Sequence, residues 1–253
     1  MRGDGCSVLP DTDSSADWEY RWLRLGSSLF CDSGYFGTDG TVVPVTSPVG
    51  SLHQMVEWIN AAETSLHLHV YQFDSPELYN AIAGAVQRGV ECTILLEGQI
   101  LGDAADSTDQ RGWADELANA GCTVLWMIEP EGTNAPMAPY RYIHSKVAVR
   151  DGDSVWMGSG NWKRSTFPLD GDMGNRDSGV IINSQDVADL VMSRLLWDEN
   201  TSQRHVINHE DAPTSMGRPT GWVRPTASTE FSPSEPMPLI YDGPFGAILL
   251  TCP

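Results

Sequence analysis

Lysine is nearly absent: the 253-residue chain holds 13 Arg but only Lys146 and Lys163, set against 21 Asp and 13 Glu. A net charge of −19 repels nucleic acid and anionic lipid at long range, so a phosphate-bearing partner has to be captured by a local basic site. Most of the carboxylates read as a solvated face. Long hydrophobic runs are missing too. No stretch approaches 18 apolar residues, and no apolar segment follows Met1-Arg2-Gly3-Asp4-Gly5-Cys6. Neither a membrane span nor a signal peptide is expected, and the reading is a soluble protein of unknown compartment. Cys6, Cys31, Cys92, Cys122 and Cys252 form no Cys-x-x-Cys. They signal neither a zinc site nor a disulfide framework, and Cys92 and Cys122 lie in apolar runs where buried thiols are ordinary.

What is present suffices for a core, with 41% hydrophobic residues. From residue 41 the pattern alternates: strand at 41–45, helix at 49–62, strand at 65–73, helix at 76–87, strand at 91–96, helix at 110–120, strand at 123–128. Ser75-Pro76 opens the second helix with a capping hydroxyl and a proline in the first turn. Two strands follow at 143–150 and 154–158, then a strand at 179–183 and a helix from Ser184 to about 197. This order predicts an α/β fold, a mostly parallel mixed sheet flanked by helices on both faces.

The chain divides into an N-terminal segment at 1–40, a main domain at 41–205, a Pro-rich linker at 206–241 and a final piece at 242–253. The aromatic content of the first segment, with Trp18, Tyr20 and Trp22, fits the end of an upstream module. In the last piece Asp242-Gly243, an apolar strand and Thr251-Cys252-Pro253 repeat Asp39-Gly40, a strand and Thr46-Ser47-Pro48. The recurrence predicts a second repeat starting there, with the chain as the first half of a longer protein.

The densest chemistry runs from Tyr142 to Trp162. Arg141, Lys146, Arg150, Lys163 and Arg164 gather in that run and its immediate flanks, a local anion site in an acidic chain. Residues two apart on a strand share a face, so His144 and Lys146 project together while Val147 and Val149 turn toward the core. Asp151-Gly152-Asp153 marks a hairpin turn, which sets 150 opposite 154, 146 opposite 158 and 144 opposite 160. Gly158-Ser159-Gly160-Asn161 then lies beside His144 and Lys146. The glycines leave room for substrate, and the Asn161 amide can donate to a phosphate oxygen.

His144, Lys146, Asp151, Gly158, Ser159 and Asn161 fill the string His-x-Lys, four residues, Asp, six residues, Gly-Ser-x-Asn. This resembles the HKD signature of the phospholipase D superfamily, and Asn175-Arg176-Asp177 resembles the family's Asn-x-Glu or Asn-x-Asp. The resemblance implies a phosphodiesterase or transphosphatidylase in which two copies face one site. One histidine attacks phosphorus, giving a phosphohistidine, and the other protonates the leaving alkoxide, with no metal and no cofactor. It implies that His144 is nucleophile or acid, that Lys146 and Asn161 bind phosphate, that Asp177 orients His144 and that Ser159 donates nearby. Asp151 holds the turn.

One copy cannot supply two histidines, and no other His here precedes a Lys by two. Either a downstream repeat in cis or a homodimer, as in the family's single-motif nucleases, completes the site. The substrate is a phosphodiester, phospholipid or nucleic acid. The rival reading is a non-catalytic phosphate-binding or assembly module. His67 and His69 share a strand face, half of a metal site with no third ligand in view, so His69 reads as cleft lining. Tyr71 and Lys163 are further cleft candidates.

Overall fold

The computed structural model describes residues 32–100, 104–128, 142–202, 205–228 and 240–251. In chain order the principal elements are β1 (Asp32–Thr46), α1 (Ser51–Asn60), β2 (Ser65–Val70), β3 (Phe73–Asp74), α2 (Pro76–Gln87), β4 (Glu91–Glu97), α3 (Ala104–Ala120) and β5 (Thr123–Met127). There follow β6 (Lys146–Arg150), β7 (Ser154–Gly158), β8 (Trp162–Lys163), β9 (Ser178–Asn183), α4 (Gln185–Asp198), β10 (Val206–Asn208) and β11 (Tyr241–Thr251).

Nine strands form one sheet in the order β10-β5-β4-β2-β6-β7-β9-β1-β11. The α/β class is as expected, but the sheet is not mostly parallel. Within this sheet, among the described residues, only β2 with β4 and β4 with β5 run parallel, and the other six neighbouring pairs are antiparallel. Parallel pairing needs a crossover, which only α2 and α3 provide between these strands. From β6 onward the chain returns through tight turns and lays its strands antiparallel.

Alternation along the strands sorts the core into two faces. Leu66, Leu68 and Val70 of β2 and Ala148 of β6 join Leu52, Met55 and Ile59 of α1, Leu78 and Ile82 of α2, and Trp113 and Leu117 of α3. On the opposite face Val149 and Val155 meet Val187, Ala188, Val191 and Leu195 of α4. Helices therefore cover both faces, three against one. Ser75 caps α2 as its position predicts, its hydroxyl accepting from Leu78 N at 3.3 Å. Ser184 sits at the α4 N-cap position, but its hydroxyl meets Thr38 Oγ1 at 2.7 Å instead.

Two expected boundaries move. β1 is continuous from Asp32, pairing with β11 along its first part and with β9 along its last, so residue 41 opens no new unit. Residues 1–31, with the aromatics assigned to an upstream module, lie outside the described residues. The expected linker is also not a free spacer over 206–228. β10 extends the sheet beside β5, and Trp222 packs edge-on against Trp113 at 5.6 Å. Arg218 and Arg224 both bind Glu116, at 2.6 and 3.0 Å. Proline spacing read as a linker here because a strap lying on a surface carries the same residues as a spacer. Among the described residues no helix is long and apolar enough to cross a membrane.

Candidate functional site

The parallel strands β2, β4 and β5 end, and β6 begins, at one edge of the sheet, where open α/β sheets place their ligands. His144 stands two residues before the pairing of Lys146 with Val70. Lys146 is buried at 6% exposure, while His144 is exposed. The Lys146 ammonium lies 3.1 Å from Nδ1 and 3.2 Å from Nε2 of His144, and donates to the His144 carbonyl at 2.7 Å. The two side chains meet, although the strand expected from 143 begins only at Lys146 and leaves His144 outside it.

Tyr71 completes this corner. Its ring centroid is 4.8 Å from that of His144 and 5.3 Å from the Lys146 ammonium. β2 stops at Val70, and the bend through Tyr71 and Gln72 turns the tyrosine toward the cation. The exposed Tyr142 ring lies 6.5 Å from Tyr71.

Burial pushes the Lys146 ammonium down to about 8, opposed in part by the Asp177 carboxylate. The His144 imidazole is lowered from its ordinary value, first by burial and then by the charge on Lys146. At neutral pH the pair is therefore largely a neutral imidazole beside an ammonium.

The hairpin register is as predicted. Arg150 faces Ser154 and Val147 faces Met157, and one further step sets Lys146 at Gly158. The ladder stops there, so the predicted pairing of 144 with 160 is not made. Asp151 and Gly152 both have positive φ, at 54° and 71°, and Asp153 N donates to Arg150 O, as a type I′ turn requires. The Asp151 carboxylate accepts from the backbone N–H groups of Glu63, Thr64 and Ser65 and from the Thr64 hydroxyl, at 2.7 to 3.1 Å. It holds the hairpin tip to the start of β2.

The glycines do not leave room for substrate. A Cβ at Gly158 would meet the Trp156 indole at 2.9 Å, and one at Gly160 would clash with Thr166 Cγ2 and meet Asp177 Cγ at 2.8 Å. The space they free is filled by the protein itself. Asp177 accepts from Ser159 Oγ at 2.9 Å and from Thr166 Oγ1 at 3.2 Å. The expected grip of Asp177 on His144 is not among its hydrogen bonds here, and its influence reaches the site through the charge of Lys146. Asn161 gives its amide to Gln72 Oε1 at 2.7 Å, beside Tyr71 rather than against His144, and its buried Oδ1 has no partner among the described residues. Lys163 follows the fully buried Trp162 in β8, and its side chain is half-buried.

His69 does not line the cleft. It is fully buried on the α4 face, the side of the sheet away from Lys146. His67 Nδ1 and His69 Nε2 both bind the Glu199 carboxylate, at 3.0 and 3.1 Å. No group of three His, Cys, Asp or Glu placed to hold a metal occurs among the described residues.

Sequence reasoning missed Glu97, the last residue of β4. It is buried at 2% exposure, accepts from Gln99 N and from Ile143 N, each at 2.8 Å, and thereby fixes the residue before His144. Burial raises its carboxyl to about 7 against those two N–H groups. An acid closing the apolar run Thr93-Ile94-Leu95-Leu96 was the available signal.

A buried ammonium, an exposed imidazole and a hydroxyl-held carboxylate thus lie at one edge of the α/β sheet. Residues 55–198 match the family described as cardiolipin synthase, PLD-like domain. That span is more than half of the chain, which belongs to this family of phospholipase D-like domains within a phosphodiesterase superfamily. Among solved structures, it is similar to Nuc of Salmonella typhimurium, a phospholipase D family member: 22% identity, 66% of this chain and 97% of that one, TM-score 0.49. It is also similar to NucT of Helicobacter pylori: 18% identity, 66% and 94%, TM-score 0.47. No curated protein matches the chain.

Proposed function

We propose that this chain supplies one of two His-x-Lys copies to a site that hydrolyses or transfers phosphodiesters through a phosphohistidine, without a metal. The observation that carries the reading is the Lys146 ammonium within 3.1 Å of an exposed His144 ring. A ring nitrogen of His144 attacks phosphorus and the bond to the leaving alkoxide breaks. The second copy's histidine gives that alkoxide its proton. Water or an alcohol then attacks phosphorus, the P–N bond breaks and the imidazole is restored. The same two histidines serve with roles exchanged if His144 is the acid.

In this reading Lys146 neutralises the equatorial oxygens, and Asn161 offers them the amide hydrogen not given to Gln72. Asp177, held by Ser159 and Thr166, keeps Lys146 charged. Tyr71 supports the imidazole. The pairing of β1 with β11 favours a second half in cis over a homodimer. Gly40 lies directly opposite Gly243, so the two Asp-Gly repeats meet about an approximate two-fold axis, and the edge of β11 left unpaired among the described residues corresponds to the edge of β1 taken by β9.

The test is cleavage of bis-p-nitrophenyl phosphate in EDTA by the protein assembled with its second copy, wild type against His144→Ala. Cleavage that survives EDTA and is lost in the variant supports the reading. Equal rates overturn the catalytic role, and activity restored only by added metal overturns the mechanism. Phosphate binding without any cleavage identifies a binding module instead.

A further inference from the structure

Two sulfurs that the sequence leaves thirty residues apart come together in the core. Cys92 is the second residue of β4 and Cys122 immediately precedes β5. The parallel ladder pairs Thr93 with Thr123, so the cysteines occupy the next position back on adjacent strands. Their side chains share the α3 face, at 5% and 7% exposure, and their Sγ atoms lie 2.6 Å apart. Both are free thiols in this structure, but their separation is well inside the van der Waals contact of two sulfurs, and directly paired neighbouring strands bring Cα atoms into the range a disulfide spans.

The surroundings favour a permanent link over a reactive thiol. The Cys122 N–H donates to Leu117 O at the end of α3, and Val86 of α2 lies against Gly121. A thiolate is disfavoured in this apolar pocket: the adjacent Cys122 and burial together raise the Cys92 thiol well above its ordinary value. Both thiols are buried once α3 has packed, so oxidation belongs to folding.

We propose that Cys92 and Cys122 form a structural disulfide that ties the start of β4 to the start of β5. In forming it the two thiols give up two protons and two electrons to a disulfide-bearing oxidant, which leaves as two thiols, by exchange through a mixed disulfide. The link closes the α3 crossover at its base, the end of the sheet opposite Glu97 and the site. It is independent of the phosphodiesterase reading.

The test is peptide mapping of the protein refolded in a glutathione redox buffer, denatured in iodoacetamide without reductant and digested. The expected result is a Cys92–Cys122 linked peptide that separates into two on reduction, with a melting temperature lowered by about 5–10 °C in reductant. The double variant Cys92→Ala, Cys122→Ala should melt near the reduced wild type and ignore reductant. Carbamidomethylated Cys92 and Cys122 in the unreduced digest overturn the proposal. Mapping the wild type decides the matter even if the variant fails to fold, and it separates this pair from Cys6, Cys31 and Cys252.

Discussion

Replacing Asp151 by Ala removes a member of the His-x-Lys string that, in this structure, touches only the scaffold. Its carboxylate is 15% exposed and accepts three backbone N–H groups and one hydroxyl. Hydrogen bonds to a charged acceptor are worth roughly 1.5–3 kcal/mol each when nothing replaces them. Water reaches this surface loop and replaces most of them, so the four together contribute about 2 kcal/mol. The backbone adds to the loss. At φ 54° Asp is tolerated better than Ala, by up to roughly 1 kcal/mol. Asp151→Ala should therefore cost about 2–3 kcal/mol and Asp151→Asn about half of that, since Asn keeps the turn and loses the charge. Burial raises the Asp151 carboxyl, but the N–H groups of Thr64, Ser65 and Glu63 and the Thr64 hydroxyl outweigh it, and the net shift is downward. A lowered carboxyl stabilises above its unfolded value and loses that contribution as pH falls through the folded one. The gap between wild type and Asp151→Ala should be widest at neutral pH and narrow below about pH 4. Urea unfolding at several pH values reads this, alongside kcat/KM measured well below the melting temperature. An unchanged unfolding midpoint, or a catalytic loss beyond tenfold in a stable variant, refutes the structural role.

Lys146 should hold phosphate only while protonated. Inorganic phosphate affinity, followed by calorimetry, is expected to fall about tenfold per pH unit above about 8, and Lys146→Met should be weak and insensitive to pH across that range. Glu97 has its folded value raised to about 7, so its contribution to stability is complete below the unfolded value and lost as pH rises through 7. Denaturation of wild type and Glu97→Gln from pH 4.5 to 7.5 should show the wild type losing about 2–3 kcal/mol relative to the variant. A constant difference would mean that folding leaves the Glu97 carboxyl unshifted. Trp222→Ala should cost about 3 kcal/mol, because the ring packs on Trp113 and its indole N–H binds Asp109 at 3.0 Å. An unchanged unfolding midpoint would show residues 206–228 to be a spacer after all.

Much of the architecture was legible because period and punctuation agree. Ser75-Pro76 opened α2, and Asp151-Gly152 turned the hairpin. Parity was readable for the β2 histidines: His67 and His69 are odd-numbered, facing away from Leu66, Leu68 and Val70. What sequence withheld was which helix covers that face, and α4 brings Glu199 to both imidazoles. Sheet direction was misread because a strand-helix-strand lead-in fixes only its own strands. Glycine 158 and 160 were misread for a related reason: a gap in the side-chain pattern does not say what fills it, and here Trp156, Thr166 and Asp177 do. Cys92 and Cys122 each looked like an ordinary core thiol, since only the register of β4 with β5 brings them into contact.

The most direct test is a crystal structure of the assembled protein with orthovanadate, which adopts the five-coordinate geometry of phosphorus under attack. The account predicts vanadium within bonding distance of a ring nitrogen of His144, with the Lys146 ammonium on an equatorial oxygen and the second copy's histidine on the opposite side. Vanadate bound elsewhere, or held at this edge with His144 turned away from it, would contradict the account.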